Sequence, residues 1–240
     1  MSRLEPDRNA LGFTIAQLTG SNRDHVQPLP GLEVLAHAQV IEPFMAMRRA
    51  AAMAGIDLVP VSAFRDFSTQ VRIWNQKWTG QRPLLDRLGQ AINVHSLAPS
   101  ARVEALLIWS AAPGASRHHW GTEFDVYDRA AVPANYLLQL IPDEYRADGV
   151  FSKLTAWLDL NMHTYGFYRP YRIDRGGVQP EPWHLSHWPT ANIASQRLRI
   201  GMLHRAIQNS QLEGKADLLA LLPEVYKRYV RNVDRAPRRV

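Results

Sequence analysis

Two short segments hold the side chains best suited to chemistry: Ser116-Arg-His-His-Trp-Gly-Thr-Glu-Phe-Asp125 and Glu181-Pro-Trp-His184. The chain has no cysteine. Disulfides, thiolate metal sites and a cysteine nucleophile are therefore excluded. A metal site in this chain must be built from His, Asp and Glu. That donor set suits zinc with an open, catalytic position better than a closed structural site.

Backbone periodicity limits how these residues meet. Alternate residues of a strand share a face. His118 and Asp125 are seven apart, so one continuous strand would put them on opposite faces. The chain must turn between them, and Gly121 supplies the turn. Phe124 and Val126 then face the core while Asp125 faces the other way. A carboxylate framed by apolar neighbours needs a partner, because an unpaired buried charge is costly. A divalent metal is one such partner. Between Glu181 and His184 lies Pro182, which argues against a mid-helix position. Glu181 is expected at a strand entrance and His184 within the strand. Glu181 then lies beside the metal without ligating it, placed to take a proton from water as a general base.

The first segment resembles the Ser-x-His-x-x-Gly-x-x-x-Asp signature of the D-alanyl-D-alanine metallopeptidases. The second resembles their Glu-x-Trp-His signature, and Ser62-Ala-Phe-Arg65-Asp-Phe-Ser-Thr-Gln70 resembles their Ser-x-x-Arg…Gln segment. The chain looks like the VanY-type branch, which belongs with the lysostaphin-type enzymes and the hedgehog signalling domain. The resemblance spans about residues 32–190. It implies His118, Asp125 and His184 as ligands of one zinc ion per chain, and Glu181 as the catalytic base. It implies Arg65 as the group that polarises the scissile carbonyl, with Ser116 and Gln70 shaping the substrate site. His119 adjoins His118, but the motif spacing favours His118 as the ligand. Peptidoglycan stem peptides or muropeptides are the implied substrates, trimmed at a C-terminal D-alanine by a DD- or LD-carboxypeptidase. Two readings stand beside this one: a catalytically inactive domain of the same fold that binds peptidoglycan or protein, and a peptidoglycan endopeptidase. The sequence departs from the family at Glu123, where a small residue is usual, and at Leu185-Ser186-His187-Trp188, where an aromatic-Arg-Tyr run is usual. These departures are expected to bear on substrate preference more than on catalysis.

Positioning these residues calls for a mixed fold. Residues 32–54 carry Leu32, Leu35, Val40, Phe44 and Met47 at helical spacing and stop at Gly55. Residues 57–62 read as a short buried strand and 67–78 as a helix with Val71, Trp74 and Trp78 on one face. Further helices are expected at 102–111, 151–165, 192–208 and 214–231, and strands at 165–168 and 183–185. Helices and short strands mix without βαβ regularity, which argues an α+β fold. The family resemblance adds a small antiparallel sheet carrying the zinc site, flanked by helices. Residues 1–31 form an N-terminal arm packed on the domain. Residues 32–190 form the peptidase core, with insertions near 79–101 and 130–150, and 191–240 form a helical extension with a basic tail. Trp120 and Trp183 are read as packing residues. His25, His37, His95, His163 and His204 are read as ordinary surface or helix residues, and His187 as a residue that either backs the ligands or lies at the rim of the site.

The formal net charge is +6. Part of it sits in the tail from Lys227 through Arg238 and Arg239, read as a solvated end. No nucleic-acid motif accompanies it, so no nucleic-acid partner is expected. No apolar run approaches the roughly 18 residues of a membrane span. The N-terminus lacks a basic stretch followed by an apolar one, so the cytoplasm is the expected location, with the periplasm second. A cytoplasmic enzyme would act in murein recycling, on the L–D bond of a tetrapeptide. Nothing in the sequence sets an oligomeric state.

Overall fold

The computed structural model describes residues 12–236. The first eleven residues of the arm, and Arg238 and Arg239 of the tail, lie outside the described residues.

A four-stranded antiparallel sheet carries the site. Its strands are β3 (Leu58–Ser62), β4 (Glu123–Asp128), β5 (Phe167–Tyr168) and β6 (His184–His187), in the spatial order β3-β4-β6-β5. A separate antiparallel pair, β1 (Val26–Pro28) with β2 (Leu35–His37), brings the arm beside it. The six central helices are α1 (Ala38–Met53), α2 (Phe67–Trp78), α3 (Pro99–Ile108), α4 (Ser152–Asn161), α5 (Trp188–Arg197) and α6 (Ile200–Gln208).

The sheet faces follow from the period of two. Phe124, Val126 and Leu185 point to one side and are completely buried. There they join Phe44 and Met47 of α1, Leu154 and Leu158 of α4, and Phe151 and Phe167 in one apolar cluster. Phe124 stacks on Phe44 with ring centroids 4.2 Å apart and meets Phe167 edge-on. Glu123, Asp125, His184 and Ser186 point to the other side. A second apolar cluster lies among α2, α3, α5, α6 and the C-terminal helices, around Trp74, Leu106, Trp120, Leu203 and Leu218. The polar face of the sheet is thus enclosed rather than solvated.

Several elements differ from the sequence reading. The helix expected over 32–54 begins only at Ala38, because Leu35–His37 is recruited as β2 by β1. Long-range pairing of this kind leaves no trace in local periodicity. His37 is not an ordinary surface residue: its ring accepts the Gln39 N–H at 3.2 Å and caps α1. His25 packs edge-on against Phe13 and Phe64. The stretch 79–101 is not featureless. It holds a hairpin of Leu84–Leu85 with Ala91–Ile92, then a 3-10 turn. α3 starts three residues early because Pro99 opens it, where the missing N–H costs nothing. The helix expected over 192–208 is two helices that part at Leu198, and the one over 214–231 breaks near Pro223 into Lys215–Ala220, Leu222–Val225 and a π turn.

Phe124 joins the apolar half of the sheet to α1. Phe124→Ala is expected to lower unfolding free energy by about 3–5 kcal/mol, read as a shifted midpoint in chemical denaturation.

Candidate metal centre and active site

The turn expected between His118 and Asp125 is present. Residues Arg117–Trp120 form a 3-10 turn that ends at Gly121 with φ 68°. A Cβ at Gly121 would also meet Val26 at 2.5 Å and the His37 backbone nitrogen at 2.9 Å. Glycine is required there for both reasons. The turn returns the chain as β4, so His118 faces Asp125 across it, with Nε2 3.2 Å from Oδ2.

β6 supplies the third member. Asp125 and His184 are register partners in neighbouring strands, and His184 Nδ1 lies 3.1 Å from Asp125 Oδ1. One ligand atom from each of His118, Asp125 and His184 lies within 4.8 Å of the others. All three side chains are buried.

The remaining ring atoms are already engaged. His118 Nδ1–H donates to the Ala63 carbonyl at 2.7 Å, which leaves Nε2 as a bare lone pair facing a carboxylate. His184 lies between two carboxylates, with Nε2 2.9 Å from Glu123 Oε2 and Nδ1 3.1 Å from Asp125 Oδ1. A neutral imidazole has one N–H, so one of its two contacts would set lone pair against lone pair. A cation relieves both conflicts. Burial opposes charge on His184, yet its bonds to Asp125 and Glu123 outweigh that and raise its pKa to about 10. A proton does at His184 what a metal would do for the whole cluster. The donor set, the fixed tautomer of His118 and the carboxylate behind His184 all fit a divalent metal.

Glu123 is the residue the sequence reading placed wrongly. It is completely buried and its Oε2 meets His184 Nε2, so it contacts a candidate ligand directly. Arg117 donates to it from Nε at 3.1 Å and from Nη2 at 3.2 Å. Thr122 and Ser186 hydroxyls donate to Oε1, each at 2.9 Å. Burial works against ionisation of Glu123, but Arg117 and His184 prevail and hold it at about 2. Alternation was the available signal, since Glu123 shares a strand face with Asp125 and Ser186 shares one with His184.

Glu181 sits just outside β6, with Oε2 3.5 Å from His184 Nδ1. Four backbone ties fix its turn. Glu181 N–H donates to Tyr171 O at 2.9 Å, and His184 N–H to Glu181 O at 3.1 Å. Val126 N–H donates to Trp183 O at 3.0 Å, and the Arg169 guanidinium to Pro182 O at 2.7 Å. The Glu181 side chain is 13 % exposed. Burial raises its pKa to about 7, a suitable range for a group that exchanges protons near neutrality.

Arg65 follows β3. It donates to Gln70 Oε1 and Ser62 Oγ, each at 3.0 Å, and lies 3.9 Å from Asp125. It does not pair with Asp66, which instead caps α2 through the Thr69 N–H at 2.6 Å. Gln70 is buried and donates to the Ala111 carbonyl at 2.8 Å. Ser116 is buried at the start of the 3-10 turn. His119 points away from the cluster. Its Nδ1–H donates to Arg65 O at 2.6 Å, and its Nε2 accepts the Gly114 N–H at 3.1 Å. His187 is buried and bonds Thr190 at 3.1 Å. Trp183 packs beside Tyr145, and Trp120 donates to the Leu18 carbonyl.

These features define a small α+β domain with a buried His–Asp–His cluster on its sheet and a carboxylate poised beside it. The chain belongs to the VanY family, described as D-alanyl-D-alanine carboxypeptidase, whose profile matches residues 33–190. An uncharacterised protein of Haemophilus influenzae is 36% identical over 118 residues, which cover 48% of this chain and 90% of that one. The LD-carboxypeptidase LdcB superposes with a TM-score of 0.50 at 18% identity, over 81% of this chain and 82% of its own. A mutant of the vancomycin-resistance D,D-pentapeptidase VanY from a VanB-type cassette, crystallised with Zn(II), gives 0.48 at 20% identity, over 76% and 88%. At 18% identity the likeness to LdcB is one of fold.

If Glu123 fixes the His184 ring for metal, Glu123→Gln will weaken divalent-metal binding by the folded protein by about 10–100-fold, besides lowering stability by leaving Arg117 without its counter-ion. Chelator competition reads this, and unchanged metal affinity would refute the role.

Proposed function

We propose that the chain is a zinc-dependent carboxypeptidase that removes C-terminal D-alanine from peptidoglycan stem peptides. The observation that carries this reading is the convergence of His118, Asp125 and His184 within 4.8 Å, with Glu181 3.5 Å from His184. Family membership supports the peptidase class and the substrate.

When bound, zinc supplies Lewis acidity, which acidifies water and polarises a carbonyl. The protein's own groups do the rest. Glu181 accepts a proton from the attacking water and returns it to the leaving amine. Its turn is braced on both sides, so the carboxylate is held in place before substrate arrives. Arg65 is aimed by Gln70 and Ser62 and offers N–H donors to the oxygen on which negative charge develops. Such preorganised donors are worth most in a site that excludes water. A domain that only bound wall peptides would have no use for a carboxylate buried beside the cluster.

Glu181→Ala and Arg65→Ala are each expected to reduce turnover on the order of 100-fold or more, with unchanged circular dichroism. The deciding experiment incubates the purified protein with defined muropeptides ending in L–D (tetrapeptide) or D–D (pentapeptide) bonds, with and without chelator. Released D-alanine identifies the bond that is cut. Release that persists in chelator would refute the zinc mechanism, and near-wild-type activity of Glu181→Ala would remove Glu181 as the base.

A further inference from the structure

Lys77 lies in the last turn of α2, seven residues beyond Gln70. Seven residues make about two helical turns, so the two side chains share a face of α2. Both reach the segment that leads from α3 to Ser116. Gln70 donates to the Ala111 carbonyl at 2.8 Å, and Lys77 Nζ donates to the Ser110 hydroxyl at 2.5 Å. The side chain is half-buried. Among the described residues no carboxylate lies within 4.0 Å of its ammonium.

The charges that act on Lys77 come from the active site and its border: Glu181, Arg82 and Arg65. Burial pushes the ammonium down to about 8, against the pull of Glu181. A desolvated cation with a hydroxyl but no counter-ion is costly to keep. An anion arriving there would be held by the charge and by the Ser110 hydroxyl together. Arg65 is held by Gln70 and Ser62 and its remaining N–H donors serve the developing oxyanion, while Gln70 is bonded to Arg65 and Ala111.

A carboxypeptidase substrate carries one anion at a fixed place, the carboxylate of the residue being released. We propose that Lys77, with Ser110, binds the terminal α-carboxylate of the substrate and so restricts the site to the last peptide bond. The inference rests on the carboxypeptidase reading above. It adds what that reading lacks, a group that tells a chain end from a chain interior. A lysine suits the task as a compact charge on a flexible stem, directed here by one hydroxyl.

The test compares stem peptides ending in D-alanine as the free acid and as the carboxamide. Wild type should prefer the acid. Lys77→Met should lower kcat/KM for the acid by about 10–100-fold, the scale of a lost charge-assisted bond, mostly through KM. The carboxamide rate should not change, and Lys77→Arg should retain part of the preference. Equal losses on both peptides, or no loss on either, would overturn the assignment. A second arm measures binding of both peptides to Glu181→Gln, with and without Lys77→Met. If wild type hydrolyses neither peptide but the acid binds in a Lys77-dependent way, the reaction reading falls and the carboxylate site stands. If hydrolysis occurs but binding ignores both the carboxylate and Lys77, the carboxylate site falls and the reaction reading stands. Binding of neither peptide overturns both.

Discussion

Charge must balance on one enclosed face of a small sheet. Asp125 and His184 stand opposite each other on neighbouring strands, and Glu123 stands behind His184. All three are buried, so each lone pair turned inward must find a proton or a cation nearby. The rest of the domain is arranged around this. Ala63 fixes the His118 tautomer from the end of β3, Arg117 neutralises Glu123, and Arg65 lies 3.9 Å from the outer edge of Asp125. A divalent cation held by His118, Asp125 and His184 would complete the balance.

Two apolar clusters make that enclosure possible. One backs the sheet through Phe44, Phe124 and Phe167; the other gathers the helices around Trp74, Trp120 and Leu203. The chain segments between them carry the working groups. Arg65 leads from β3 into α2, Ser116 and His118 lead into β4, and Glu181 leads into β6. Each working residue therefore sits at the end of a regular element whose body is anchored in apolar packing. His119 shows the economy of the arrangement: it does not face the metal cluster, but it ties the Arg65 backbone to the segment that carries Ser116.

Much of this was legible in the sequence, for reasons that can be named. Phe124 and Val126 frame Asp125 with a period of two, so its orientation followed from strand geometry. Gly121 marked the turn that returns the chain. Val71, Trp74 and Trp78 announced a helix whose bounds agree with Phe67–Trp78. What escaped depended on distant partners. Leu35 fits a helical spacing as well as a strand, and only pairing with Val26–Pro28 decides between them. Pro99 and Pro223 moved helix boundaries that apolar spacing alone set too loosely. Glu123 read as a departure from a family pattern, because only the register of β4 against β6 puts it under a histidine. Lys77 belonged to no motif, and nothing local says that Ser110 receives it.

The Arg117–Glu123 pair has an evolutionary consequence. Each side chain is buried, and each neutralises the other. Replacing either alone strands a charge in the interior, a loss on the order of 3–5 kcal/mol, comparable with the whole stability margin of many domains. Drift to a small residue at position 123 must therefore pass through a badly folded intermediate or change both positions together. Once acquired, the pair is a ratchet. A lineage that carries it is held to this version of the histidine support by the cost of leaving it, whatever happens to the substrate outside.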